Sequence, residues 1–223
     1  MEHIEIYLAD TTTLSDSALF ERLLKRASKD RRERILAQKR EADRRLSLAA
    51  ELLLSHALML HGITSYTVER DEYGKPRLSG ENTLCFNLSH SGERAMCVLS
   101  DRAVGCDVQW MNPVIRPALA ERFFSASECE LLRGELTEEG RRELFYRLWT
   151  LRESFVKATG EGVLRRFESF SVIPVGEEYQ ISGIPSDAPS HFFEPLSEAQ
   201  YRYALCGERE KIAPVVWVRF DVP

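Results

Sequence analysis

Four short stretches hold residues whose types and spacing suit chemistry. In "AVGCDVQW" (residues 103–110) an acid and an amide stand two apart, Asp107 and Gln109, inside an otherwise apolar and β-branched run. Alternate residues of an extended chain share a face, so Val104, Cys106 and Val108 point one way and Gly105, Asp107 and Gln109 the other. In "LFYRLWTLRESFVKATGEG" (144–162) the apolar stripe Leu144, Leu148, Leu151 and Phe155 has helical spacing. Glu153 then points almost opposite that stripe, with Trp149 and Lys157 one turn to either side. In "FNLSHSG" (86–92) two apolar residues lead into a polar turn, where Ser89, His90 and Ser91 offer hydroxyl, imidazole and backbone N–H groups to an anion. The fourth stretch, "DEYGKP" (71–76), joins a flat aromatic, a flexible glycine, a cation and a proline.

Each stretch also has an ordinary structural reading. The polar side of 103–110 can face water, Glu153 and Lys157 can be an exposed i, i+4 pair worth roughly 0.2–0.5 kcal/mol, and His90 can be a surface histidine. Trp149 argues for a cleft, because a large aromatic seldom decorates a freely solvated helix face. A fifth feature is electrostatic. Between Leu23 and Arg45 ten cationic residues stand against four acidic ones, a net of +6 in a chain of net −5, so the remainder carries −11. Such a run is either a solvated helix face or a site for a phosphate or an acidic partner.

The elements that must carry these residues follow from periodicity and punctuation. A strand is expected over 3–8, a helix from about Ser15 to Ala27, and one long helix from about Asp30 to Leu60, with Gly62 as its cap. Short strands are expected at 66–70, 84–88, 95–100 and 103–109, with turns at "DEYGKP" and "SHSGE". Helices follow at 117–124, 126–134 and 138–159, then strands at 169–173, 178–182, 190–194, 200–206 and 214–219. Helices followed by strands thus occur twice, which implies an α+β protein of two similar-sized halves that meet near residues 103–110.

With 223 residues, 43% hydrophobic and 29% charged, the chain has the composition of a globular protein with a substantial core. The acidic, strand-like start "MEHIEIYLAD" does not read as a secretory signal. The longest apolar run, of about 13 residues and interrupted by Glu51, Ser55 and His56, is too short to span a bilayer. A cytoplasmic protein with no membrane partner is the expectation, and the negative net charge argues against nucleic acid. Five widely spaced cysteines without a C-x-x-C pair imply buried, reduced thiols rather than a disulfide framework or a zinc site.

The order and spacing of "YGKP", "FNLSHSG", "VGCDVQ" and "LWTLRESFVKATGEG" resemble the 4′-phosphopantetheinyl transferases of the surfactin-synthetase-activating (Sfp) type. Trp149, Arg152, Glu153, Ser154 and Lys157 match that family's W-x-x-[KR]-E-[SA]-x-x-K, and Gly105 to Gln109 match its G-[hydrophobic]-D-[hydrophobic]-E. "AERFFSASE" (120–128) fits the stretch between them. The resemblance is strong over about residues 70–170. It implies a pseudo-twofold pair of α+β halves, 1–104 with coenzyme A-binding elements and 105–223 with metal ligands and the catalytic helix. It implies transfer of the phosphopantetheine arm of coenzyme A to a serine of an apo acyl or peptidyl carrier protein, with release of 3′,5′-ADP. The length matches the monomeric type.

The resemblance also gives the residues roles. Asp107 and Glu153 supply carboxylates to Mg²⁺, or to Mn²⁺, which prefer one or two carboxylates with waters and phosphate oxygens. Lys157 contacts phosphate oxygens, Ser89 and His90 hold the diphosphate, and Tyr73, Gly74, Lys75 and Pro76 form the adenine-side segment. Arg31, Arg32, Arg34, Arg44 and Arg45 are matches for the cation that holds the 3′-phosphate, Arg45 fitting best in register. The serine proton goes to Glu153, directly or through water, or to a metal-bound water. Gln109 departs from the pattern, which often has a second acid there; an amide oxygen ligates Mg²⁺ without charge. Two other readings fit the same residues: a non-catalytic module for coenzyme A or a carrier protein, and a Mg²⁺-dependent hydrolase of nucleotide pyrophosphates.

Overall fold

In the computed structural model, which describes residues 1–80, 84–113, 117–160, 170–176 and 178–221, strand β1 (Glu5–Asp10) leads through a 3-10 turn (Thr12–Ser15) to helices α1 (Ser17–Leu24), α2 (Lys29–Leu36) and α3 (Glu41–Leu60). Strands β2 (Val68–Arg70), β3 (Pro76–Leu78), β4 (Cys85–Ser91), β5 (Arg94–Ser100) and β6 (Val104–Trp110) follow. Helices α4 (Pro117–Phe123), α5 (Ala126–Gly134) and α6 (Glu138–Thr159) precede β7 (Ser171–Val175), β8 (Glu178–Ser182), β9 (His191–Phe193), β10 (Ser197–Glu198), β11 (Tyr201–Gly207) and β12 (Val216–Trp217).

Two sheets stack face to face, each covered on its outer face by one long helix. The first has the order β12–β1–β5–β4 and the second β10–β11–β6, with β9 also on β11. Ile4, Ile6 and Leu8, with Met96 and Val98, meet Val104, Cys106, Val108, Tyr203 and Leu205 between the sheets. The alternate residues Tyr7, Ala9, Ala95, Cys97 and Leu99 turn outward against Leu48, Leu53 and Ala57 of α3. On the far side Ala204 and Cys206 of β11 meet Leu151, Phe155 and Ala158 of α6. Central strands buried on both faces read as continuous apolar runs, which is why β1 and β5 show little alternation. The fold is therefore the expected α+β, with one helix-on-sheet layer on each side of the inter-sheet core. The last strand crosses back, since β12 pairs in parallel with β1 through Tyr7↔Val216 and Leu8↔Trp217.

Helices α5 and α6 occupy the expected residues 126–134 and 138–159. Gly160 ends α6 in the left-handed region, at φ +77°; Glu161 and Gly162 of the same motif lie outside the described residues. The long helix expected over 30–60 is instead two helices. Its apolar stripe begins only at Leu46, whereas the preceding cationic segment has Ile35 as its buried residue, at 0% exposure. A helix break at residues 37–40 lets Ile35 enter the core, and the Arg44 guanidinium donates to the Gln38 carbonyl across it (2.9 Å). The polar turn expected at Ser89–Ser91 is also corrected. All three residues belong to β4, and the turn begins at Gly92, with φ +59°.

All five cysteines carry free thiols. Among the described residues no helix is long and apolar enough to cross a membrane.

Candidate active site between the two halves

Gly105 decides how α6 meets β6. A Cβ at this position would lie 2.2 Å from the Ala158 nitrogen and 2.2 Å from the Ser154 carbonyl oxygen, so only glycine lets the helix backbone rest on the strand. Asp107 lies two residues further along the same strand face, and Glu153 and Lys157 one residue before Ser154 and Ala158. The glycine contact therefore brings strand acid, helix acid and helix ammonium together. The Lys157 ammonium donates to Asp107 Oδ1 (2.6 Å) and to Ser89 Oγ (3.0 Å). The Gln109 amide nitrogen donates to Asp107 Oδ2 (3.0 Å). Asp107 is 1% exposed and Glu153 9%.

This placement sets the protonation of the group. Burial, then the Asp107 carboxylate, push the Glu153 carboxyl up to about 7 against the opposing pull of Lys157. Desolvation works against the Lys157 ammonium, yet Asp107, Cys106 and Glu153 together outweigh it and the lysine pKa is raised. His90, exposed within the cleft, is lowered by desolvation and by the Lys157 charge.

These side chains line a cleft of about 1980 Å³ that also takes in Arg31, Glu51 and Trp149. The volume exceeds the ~300–1,000 Å³ of ordinary small-ligand pockets. On its N-terminal side Glu51, 7% exposed in the middle of α3, accepts from Arg31 Nε (2.7 Å) and from the Tyr66 hydroxyl (3.2 Å), which is 2.7 Å from Ser55 Oγ. Trp149 lies in the cleft wall, stacked on Phe145 at 6.0 Å between ring centres.

The sequence-predicted residues do not all gather here. Pro76, Ser89, His90, Asp107, Gln109, Glu153 and Lys157 line the cleft, whereas Arg45, Tyr73, Gly74 and Lys75 do not. Arg45 pairs with Glu41 one turn away (2.9 Å). The Lys75 ammonium donates to the Ala158 carbonyl (2.7 Å) at the end of α6 and to the Val104 carbonyl (3.3 Å), and desolvation lowers it to about 8. It thus ties α6 to the start of β6.

Two supporting roles escaped sequence reading, that of the motif residue Arg152 among them. Arg152 is fully buried, pairs with fully buried Glu128, and donates to the Phe170 carbonyl (2.8 Å). Glu128 also accepts from the Val172 amide (3.0 Å) and closes a capping box with Ser125, so one acid joins α5, α6 and β7. The S-x-x-E spacing of "SASE" was the available signal. The other support is Glu51, visible only as one acid in a long apolar stripe.

Comparison with known proteins gives the family. The family model described as the 4′-phosphopantetheinyl transferase superfamily matches residues 103–206, a span that contains both β6 and α6. A 4′-phosphopantetheinyl transferase of Bacillus subtilis is 28% identical over 193 residues, 84% of either chain. The Bacillus pumilus 4′-phosphopantetheinyl transferase psf-1 is 33% identical over 177 residues, 77% of this chain and 74% of that one. The chain belongs to the 4′-phosphopantetheinyl transferase superfamily. The transferase AcpT of Salmonella typhi is 36% identical over 170 residues, 70% of this chain and 72% of its own. As a phosphopantetheinyl transferase, the chain moves the phosphopantetheine arm of coenzyme A to an apo-carrier protein.

Proposed function

We propose that Asp107, Glu153 and Lys157 are the reacting centre of this transfer, with coenzyme A in the cleft and the carrier serine delivered to its mouth. The observation that carries the reading is the pair of buried acids beside the Lys157 ammonium, where burial and then the Asp107 charge push the Glu153 carboxyl up to about 7. Two carboxylates that share a site without a full complement of positive charge are suited to a divalent cation. The donor set of hard oxygens fits Mg²⁺, or Mn²⁺, with Asp107 and Glu153 as the charged ligands and Gln109 or water beside them. When bound, such an ion supplies positive charge at the diphosphate oxygens.

The residues of the chain do the remainder. The serine hydroxyl forms a bond to the phosphorus on the pantetheine side of the diphosphate. The bond from that phosphorus to the bridging oxygen breaks, and 3′,5′-ADP leaves with the electron pair. The serine proton goes to Glu153, directly or through a water. Lys157 and His90 face the diphosphate, where charge grows on the leaving group. Arg31, fixed by Glu51 in the cleft wall, is better placed than Arg45 to meet the 3′-phosphate. The two halves, 1–104 and 105–223, then contribute coenzyme A contacts and reacting groups respectively, and the protein acts as a cytoplasmic monomer.

The test is the intact mass of an apo-carrier after incubation with the protein, coenzyme A and Mg²⁺. Gain of one phosphopantetheine, lost with Asp107→Ala, is expected. Transfer by Asp107→Ala at the wild-type rate would remove Asp107 from the reaction. Comparing acyl and peptidyl carriers in the same assay identifies the preferred partner.

A further inference from the structure

One acid stands out in α3. The buried residues around it are apolar, Leu52, Leu53 and Leu54 among them, yet Glu51 is 7% exposed in their midst. A buried carboxylate is tolerated only when it is paired and hydrogen-bonded. Both partners of Glu51 come from other segments. Arg31 of α2 donates from Nε to Oε2 (2.7 Å), and the Tyr66 hydroxyl, in the connection between α3 and β2, donates to Oε1 (3.2 Å). Each carboxylate oxygen thus has its own donor. Tyr66 directs its one proton at Glu51, so in the 2.7 Å contact with Ser55 Oγ the serine donates. Burial pushes the Tyr66 phenol up to about 12, which keeps that proton in place near neutral pH. Ser55 lies one turn beyond Glu51 on the same helix, and it closes the chain Ser55, Tyr66, Glu51, Arg31.

The consequence falls on Arg31. Glu51 engages it through Nε, and among the described residues neither Nη nitrogen has a hydrogen-bond partner. The side chain is 28% exposed in the cleft wall. A guanidinium pinned at Nε keeps the outer edge of its fork open, and that edge matches the oxygens of a phosphate. Arg34, also in the cleft wall, is held differently: it is 59% exposed and pairs with exposed Asp30 on its own helix.

We propose that Glu51 is a positioning residue which, braced by Tyr66 and Ser55, presets the Arg31 guanidinium for the 3′-phosphate of coenzyme A. The inference rests on the reading of Arg31 as the cation for that phosphate. Ordering one long side chain at the moment of binding weakens affinity by roughly two- to tenfold, and a preset arginine avoids that loss. The Glu51 charge acts in the opposite direction, because it offsets the attraction of Arg31 for an anion. Positioning and charge therefore predict opposite signs when Glu51 is removed.

The experiment measures calorimetric binding of coenzyme A and of 3′-dephospho-coenzyme A, with Mg²⁺ and without carrier. It compares wild type with Glu51→Ala, Glu51→Gln and Arg31→Ala. Glu51→Ala releases Arg31 and is expected to weaken coenzyme A by roughly two- to tenfold, with the dephospho form unchanged within about twofold. Glu51→Gln keeps an acceptor oxygen for Arg31 Nε and removes the charge, so it is expected to bind coenzyme A at least as tightly as wild type. In the carrier mass assay, KM for coenzyme A rises in Glu51→Ala while kcat stays within about twofold. Equal weakening of both ligands would overturn the proposal, since an acid needed only for packing acts on the whole cleft. Tighter coenzyme A binding by both Glu51 variants would overturn it too, leaving Glu51 as a charge that opposes the phosphate. Unchanged affinities in Glu51→Ala have the same force. If Glu51→Ala does not fold, Tyr66→Phe removes one of the two donors to Glu51 and must weaken coenzyme A selectively; no selective loss there also overturns the proposal. Arg31→Ala separates the underlying reading: an unchanged ratio of the two affinities in that variant refutes Arg31 as the 3′-phosphate cation, whatever Glu51 does.

Discussion

The raised Glu153 carboxyl makes a prediction about stability that is opposite in sign to the one about activity. A carboxyl with a folded-state pKa of about 7 against an ordinary 4.5 binds more protons in the native state than in the unfolded state between those values. Stability therefore falls as pH rises through that window, and the full penalty is present above it. At 1.36 kcal/mol per unit the penalty has an upper limit of about 3.4 kcal/mol at pH 8.5, against about 0.8 kcal/mol at pH 5. Glu153→Gln keeps the shape of the side chain and removes the charge. The metal-free variant should accordingly be more stable than wild type at pH 8.5, with the advantage shrinking by about 2 kcal/mol or somewhat more on going to pH 5. Urea unfolding of both proteins in chelator at the two pH values measures this, because every other titrating group is common to both. Adding Mg²⁺ at pH 8.5 should stabilise wild type more than the variant, since the cation offsets the repulsion between the acids. Phosphopantetheinyl transfer should fall sharply in the same variant. A stability difference independent of pH would refute the raised Glu153 carboxyl, and equal stabilisation of both proteins by Mg²⁺ would refute Glu153 as a ligand.

Three further outcomes follow from the packing. Gly105→Ala should lower stability by about 1–3 kcal/mol or more and reduce transfer, because its Cβ meets the α6 backbone at 2.2 Å and must push Glu153 and Lys157 away from Asp107; thermal unfolding and the carrier mass assay read the two effects. Glu128→Gln removes the buried carboxylate that pairs with Arg152 and should destabilise by about 3–5 kcal/mol, measured by denaturant unfolding, whereas an exposed pair such as Arg34–Asp30 should matter by no more than about 1 kcal/mol. Gln109→Glu adds a third carboxylate and should raise activity at limiting Mg²⁺, with no gain at saturation; an unchanged profile across a metal titration would refute the charge argument.

Much of the site was legible because it follows local periodicity. The two-residue repeat set Asp107 and Gln109 on the face away from the core, and the helical repeat set Glu153 and Lys157 one turn apart. Helices α5 and α6 lie at their expected residues, and the glycine of "GEG" ends α6 at Gly160. Linear order alone could not say that Ile35 must reach the core and so break the basic helix. Nor could it say that the polar alternation Asn87, Ser89 and Ser91 serves the edge of another strand, or that Lys75 spends its ammonium on the end of α6. Each of these depends on contacts between segments distant in sequence. The meeting of Asp107 with Glu153 and Lys157 is of the same kind: the sequence contains all three side chains, but only the close rest of α6 on Gly105 brings them together. The raised Glu153 pKa is decided at that level too, because desolvation and the repulsion of a second acid arise only when α6 packs against β6.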